Sequence, residues 1–237
     1  MVGLQEVGFY DVDGEVHDQP LELAARTGMH VRYAAVHAYP LIEPESGRAV
    51  GSATWGNVLL TREPVSDGFA TALPAGADDA LVEPAGTDLP LAGVTFLDAP
   101  YGTREPRCAV GGRVSVGGVD ATVVSTHLSY AGSGQRADQA AALVELVAGH
   151  PDPVVLLGDF NAPIETMEMA PLRAVFTDAF AAVGIAPDDP ARRSCGPLPI
   201  DHVFVRGLAV DDCHVVTDAG DASDHLPVVA TLRAEVG

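Results

Sequence analysis

Four short acidic and histidine motifs close apolar, strand-like runs in this chain: Leu4-Gln5-Glu6, Thr126-His127-Leu128, Gly158-Asp159-Phe160-Asn161 and Ser223-Asp224-His225-Leu226-Pro227. Ile200-Asp201-His202 belongs with them. Carboxylates and imidazoles at the ends of buried strands are costly to desolvate unless a cation or a reaction uses them. Several carboxylates at one place repel one another, and a divalent cation is their natural neutraliser. Oxygen-rich ligation selects Mg2+ or Mn2+. A zinc site would draw on Cys and His clusters, and the sequence shows no such spacing. The expected chemistry is metal-assisted hydrolysis of a phosphate ester.

Each motif has a plainer reading when taken alone. Asp159 and Asn161, two residues apart, share a side if the chain is extended, where they can hold a water and a phosphoryl oxygen together. The same pair also suits an Asx turn after a strand. Asp224 and His225 are adjacent, so they serve one site only if the backbone bends there; otherwise they belong to a polar loop. A single histidine such as His127 at a strand end is commonly a satisfied structural residue. Leu4-Gln5-Glu6 is weak by itself, and either Asp201 or His202 can be the inward residue. The joint occurrence of the motifs carries the reading.

The elements that must position these groups are mostly strands. Val31–Tyr39, Asn57–Thr61, Val154–Leu157, Ile200–Val205 and Pro227–Leu232 read as strands, and Cys108–Val116 with Val119–Thr126 as a hairpin turning at Gly117-Gly118. A short helix is expected over 18–28, with Asp18 as N-cap, Pro20 in its first turn and Gly28 at its end. Gln135–Val147 reads as a second helix, with Leu143, Leu146 and Val147 on one face and Arg136 and Glu145 elsewhere. The Ala-, Gly-, Pro- and Asp-rich stretch from Leu73 to Asp98 reads as a long irregular excursion. Consecutive strands outnumber helices, which argues for a two-sheet core with helices outside.

Composition narrows the function. The 237 residues suffice for one large domain with a full core. A formal charge of −20, with 13 arginines and no lysine, disfavours broad contact with a phosphate backbone. The basic patches and interleaved aromatics of a nucleic-acid groove are not evident. Cys108, Cys195 and Cys213 lack a metal-ligand spacing and read as buried or idle thiols. No apolar run reaches the roughly 18 residues of a membrane span, and no protein partner is evident.

In order, LQEV, the Gly56-Asn57-Val58-Leu59-Leu60 run, THL, GDFN, IDH and SDHLPV resemble the endonuclease/exonuclease/phosphatase superfamily from Leu4 to Leu232. GDFN followed by SDHLP is the most specific part. The resemblance implies an α/β (α+β) four-layered sandwich: two packed, mostly antiparallel sheets flanked by helices, with the site at one edge. It implies that Glu6 and Asp224 are metal ligands for Mg2+ or Mn2+. Asp159 would orient the attacking water and Asn161 would hold the phosphate. His225, paired with Asp201, would sit at the scissile phosphate, and His127 would contact a phosphate oxygen. Asn57 and Arg107 are further residues to consider near the phosphate, Asn57 as indirect support and Arg107 either as an extra positive charge or as an ordinary surface arginine. The implied substrate is a phosphorylated small molecule, a lipid headgroup or a nucleic acid.

The chain departs from the pattern at its start. The family begins with a strand carrying an asparagine, some 30 residues before LQE, whereas five residues precede Glu6 here. The expectation is a single domain over residues 1–237, N-terminally truncated, with its first strand missing and a neighbouring edge unpaired. Cytoplasmic localisation is the default, with secretion left open by the incomplete start. A non-catalytic remnant acting as a binding scaffold is the competing reading.

Overall fold

The apolar runs pair into two stacked sheets, and side-chain alternation decides what each face meets. The computed structural model describes residues 1–42, 46–74, 86–87, 107–116, 118–130 and 132–234. Its strands are β1 (Val2–Val12), β2 (Glu15–Asp18), β3 (His30–Ile42), β4 (Ala49–Thr61), β5 (Ser66–Leu73), β6 (Gly86–Thr87) and β7 (Arg107–Val116). They continue as β8 (Val119–His127), β9 (Val154–Asp159), β10 (Thr177–Asp178), β11 (Asp201–Arg206), β12 (Leu208–Val215) and β13 (Val228–Ala234). The α-helices are α1 (Gln19–Thr27), α2 (Ser133–Ala148), α3 (Ala170–Arg173) and α4 (Ala179–Ala182).

One sheet has the order β2-β1-β4-β3-β6, and the second has β10-β11-β9-β8-β7-β5. A ribbon of β12 and β13 stands apart from both. The pairings are antiparallel except β8 with β9. A parallel pair needs a crossover, and α2 lies within this one. β9 reads as an unbroken apolar run because both of its faces are covered. Val155 joins the core between the sheets with Leu59, Val110, Val123 and Val203. Val154 and Leu156 face the other way, toward Leu143 and Val147 of α2. On the opposite side of the molecule, Leu23 and Ala24 of α1 pack on Val7, Tyr33, Val58 and Leu60. The sequence of layers is therefore helix, sheet, sheet, helix, as the motif order implied.

Local signals set the helix ends. Asp18 accepts the Leu21 N–H at 2.9 Å, and Gly28 closes α1 in the left-handed region at φ 66°. α2 buries Ala140, Leu143 and Val147 as its periodicity predicts. Arg136, read as lying off the apolar face, forms an ion pair with Glu168 at 2.9 Å. The runs read as Val31–Tyr39 and Asn57–Thr61 extend into β3 and β4, which pair along their length from His30–Thr61 to Ile42–Ala49. Most of the excursion over 73–98, and Gly117 of the expected turn, lie outside the described residues.

Two of the open strand edges among the described residues face each other across the site. β2 pairs β1 only from Phe9 to Val12, so the first half of β1 is bonded to β4 alone. β13 is bonded to β12 alone. Both open edges line a cleft of about 560 Å³, with Val155, Leu157 and Val203 among its lining residues. The acidic motifs lie in the same cleft.

Gly158 shows how tightly the β8–β9 ends are joined. It adopts φ 147°, and a Cβ there would fall 1.9 Å from the Thr126 carbonyl oxygen. Substituting Gly158→Ala should cost at least about 2 kcal/mol, combining backbone strain with a displaced strand end. Urea unfolding that shows a loss under about 0.5 kcal/mol, the ordinary surface effect, would contradict this packing.

Candidate active site

Three neighbouring strand ends deliver the first groups. His127 ends β8, Asp159 ends β9 and Asp201 begins β11. In register, Asp159 stands beside His127 on one side and Asp201 on the other. Neighbouring strands lie about 4.8 Å apart, so the two carboxylates are forced together. Each has an imidazole: His127 Nε2 is 3.2 Å from Asp159 Oδ2, and His225 Nδ1 is 2.8 Å from Asp201 Oδ2. One ligand atom each from Asp159, Asp201 and His225 lies within 4.8 Å of the other two.

Asn161 reaches the same place by a turn. β9 stops at Asp159, Asn161 has φ 50°, and its N–H donates to Asp159 Oδ1 at 2.8 Å. This Asx turn, rather than extended alternation, brings the amide to His127. Asn161 Nδ2 donates to the Leu128 carbonyl at 2.9 Å and lies 3.0 Å from His127 Nε2.

Arg107 and Asn57 occupy other places than a phosphate contact would require. Arg107 is buried, with Nη1 2.9 Å from His127 Nδ1. A guanidinium only donates, so it fixes the tautomer that turns the His127 Nε2–H toward Asp159. Asn57 is buried away from the cleft and donates to the Cys108 carbonyl at 2.9 Å. Thr126 Oγ1 donates to that same carbonyl at 3.1 Å. These two bonds anchor the start of β7, from which Arg107 extends. Arg107 and Asn57 thus support His127 from behind.

Glu6 owes its position to a bulge. Between Leu4–Val58 and Val7–Gly56, β1 advances three residues while β4 advances two, and Glu6 takes φ 58°. Such an insertion re-aims a side chain, and Glu6 lines the cleft with Asp159, Asp201 and Asp224. Beside it, Gln5 Nε2 donates to Ser125 Oγ at 3.2 Å. His202 settles the ambiguity of its motif: it is buried, with Nε2 2.9 Å from the Ala162 carbonyl, while Asp201 faces the cleft.

The backbone does bend at Asp224 and His225, which precede β13. Residues 194–201 hold it. Ser194 accepts the Leu226 N–H on its carbonyl at 2.7 Å and the Asp201 N–H on its hydroxyl at 3.2 Å. One buried serine therefore ties both partners of the His225–Asp201 pair. Cys195 bridges directly to His225 through the backbone. The segment is pinned by Arg192, fully buried, which pairs with Asp178 and lies over the Phe180 ring at 4.8 Å. Sequence reasoning missed this segment because its residues carry no local motif.

The electrostatics follow from these contacts. Burial alone would raise the Asp159 pKa, but bonds from His127 and the Asn161 N–H, with the charge of His225, hold it below the usual carboxylate range. His225 is pushed up to about 9, first by its bond to Asp201 and then, against burial, by the charges of Asp201, Asp159 and Asp224. Burial pushes the Cys108 and Cys213 thiols up to about 12, which fits the expectation of idle cysteines. Cys195 is different. It is partly exposed and lies beside Asp224 and His225, and its thiol is raised by burial and by the charges of Asp224, Asp201 and Asp159.

The cleft gathers carboxylates and imidazoles that could hold a cation, and the comparisons give the family. A sequence model of the Endonuclease/Exonuclease/phosphatase family matches residues 1–225, and the chain belongs to that family. It is similar to a UPF0294 protein of Vibrio parahaemolyticus, 34% identical over 101 residues, covering 43% of this chain and 35% of the relative. The chain thus matches about a third of that relative's length. Its fold is similar to an endonuclease/exonuclease/phosphatase from Beutenbergia cavernae, with a TM-score of 0.66 and 23% identity over 98% of this chain and 62% of the other. It is also similar to a Bacteroides thetaiotaomicron mannosyl-6-phosphatase, with a TM-score of 0.52 and 17% identity over 90% of this chain and 80% of the other. Among the described residues, no helix is long and apolar enough to cross a membrane.

The raised pKa of His225 has a definite sign. Its contribution to stability is fully present below its ordinary value of 6.5 and is lost as pH rises through about 9. In the metal-free protein, a histidine NMR titration should show His225 protonated at pH 8. Asp201→Asn should move its midpoint down toward the ordinary value or below. A wild-type midpoint near 6.5 would contradict the pair.

Proposed function

We propose that this chain hydrolyses phosphate esters with a divalent cation, Mg2+ or Mn2+, held in the cleft. The observation that carries the reading is the meeting of His127, Asp159, Asp201 and His225 with Glu6 and Asp224 around one cleft. Four carboxylates in one place fit a hard cation bound through oxygen. Glu6 and Asp224, with Asp159 beside them, would hold it, and when bound it offsets charge on the phosphoryl oxygens.

The side chains supply the rest. Asp159, kept ionised, accepts a hydrogen bond from the attacking water and orients it for in-line displacement. Asn161 would turn an amide N–H toward a phosphoryl oxygen, and His127, whose Nε2–H serves Asp159, keeps that carboxylate oriented. His225 is an imidazolium over most of the physiological range and offsets charge developing at phosphorus. Asp201 keeps its ring oriented. As the water oxygen bonds to phosphorus, the ester P–O bond breaks. The water's protons end on the departing alkoxide and in solvent.

The acidity of the chain supports a compact substrate over a long polyanion. A small phosphodiester, a phosphomonoester or a lipid headgroup therefore fits better than duplex nucleic acid. The mannosyl-6-phosphatase neighbour is in keeping with a compact phosphate ester.

The test is a panel of a chromogenic phosphodiester, a chromogenic phosphomonoester, sphingomyelin and supercoiled plasmid, each with Mg2+ or excess EDTA. EDTA-sensitive turnover is expected on at least one small ester. Asp159→Ala and His225→Ala should each lower it by at least about 10²-fold with unchanged unfolding midpoints. Undiminished rates in either variant would remove that residue from the mechanism. No turnover on the whole panel would leave the binding-scaffold reading in its place.

A further inference from the structure

Cys195, Asp224 and His225 come together in space although no spacing in the sequence announces them. One ligand atom from each lies within 4.8 Å of the other two. The proximity is built into the backbone: Cys195 is the bridge partner of His225, and directly paired residues keep their Cβ atoms about 5 Å apart. The ring is already oriented. Asp201 takes Nδ1 at 2.8 Å, which leaves Nε2 as the free ligand nitrogen, the arrangement in which a carboxylate fixes a metal-binding imidazole. Solvent reaches the site, since the His225 side chain is 29% exposed and Asp224 is exposed.

The donor set differs in kind from that proposed for catalysis. Thiolate and imidazole are borderline-soft donors that select Zn2+ and its analogues over Mg2+. Two donors on one tetrahedral zinc stand roughly 3.5 Å apart, so closing the group requires modest side-chain rotation, which the exposed Asp224 permits. Three protein ligands and a water complete four-coordination.

We propose that Cys195, Asp224 and His225 form an inhibitory site for a thiophilic divalent cation of the Zn2+ class. Binding displaces the thiol proton to solvent. It withdraws His225 from the phosphate and occupies Asp224, a proposed ligand of the hard cation. A thiophilic ion therefore switches off hydrolysis that a hard ion supports. The inhibition rests on the phosphoesterase reading; the binding does not.

Two readouts separate these. Co2+ titrated into the metal-free full chain should give near-ultraviolet thiolate-to-cobalt charge-transfer absorption at one equivalent, and Zn2+ should abolish it. Cys195→Ser should remove that absorption and weaken Zn2+ binding at least about tenfold, while Cys213→Ser should keep both; ligand-shell changes of this kind typically cost 10- to 100-fold. With the preferred ester and Mg2+, micromolar Zn2+ should inhibit the wild type and leave Cys195→Ser active. Absent charge-transfer absorption, or absorption that survives in Cys195→Ser, would overturn the site. Zn2+ inhibition unchanged in Cys195→Ser would overturn the regulatory role. If no ester is hydrolysed, the phosphoesterase reading fails while the cobalt spectrum still decides the site.

Discussion

The structure turns on the forced proximity of Asp159 and Asp201. Strand pairing sets them in register at adjacent strand ends, where two carboxylates repel across a few ångströms of partly dry space. The surroundings are arranged to offset that repulsion. His127 stands at one carboxylate and His225 at the other. Arg107 fixes the first imidazole from behind, and Ser194 ties the second to its aspartate. Under the proposed function a cation would be the remaining counter-charge, and Glu6 and Asp224 extend the acidic wall that would receive it.

Rigid sheets make this arrangement possible. A β-strand end in a packed sandwich moves little, so the separations are set by register rather than by flexible side chains. Gly158 permits the β9 end to pass against Thr126, and the bulge in β1 turns Glu6 to the cleft. Where the chain leaves the sheets, buried polar anchors replace ladder bonds. Arg136 donates to the Ser129 and Tyr130 carbonyls after β8, and Arg192 pins the segment before β11. Both guanidiniums are paired with a carboxylate, as buried charges must be.

Much of this was legible in the sequence, for reasons that differ by residue. GDFN and SDHLP are contiguous, so the family resemblance, and the four-layer fold it implies, could be recognised from them. The periodicity of α2 and the caps of α1 gave those helices within a residue or two. Asn161 was read correctly as a neighbour of Asp159, but its Asx turn and left-handed backbone replace the extended alternation first considered. Asp201 and His202 could not be told apart, because the choice depends on which face of β11 meets Phe160 and Ala162. Arg107 and Asn57 were placed near the phosphate, but tertiary packing sets them behind His127. The roles of Ser194 and Cys195 were not legible, because they come from long-range pairing, Ser194 with Leu226 and Asp201 and Cys195 with His225.

In the proposed function, the cleft carboxylates form one site for a hard cation. Mn2+ binding followed by electron paramagnetic resonance tests it most directly, without reference to any substrate. One Mn2+ per chain should bind the wild type, Mg2+ should compete for it, and Glu6→Gln combined with Asp224→Asn should lose it. Absence of Mn2+ binding to the wild type, or equal binding to the double variant, would contradict the claim.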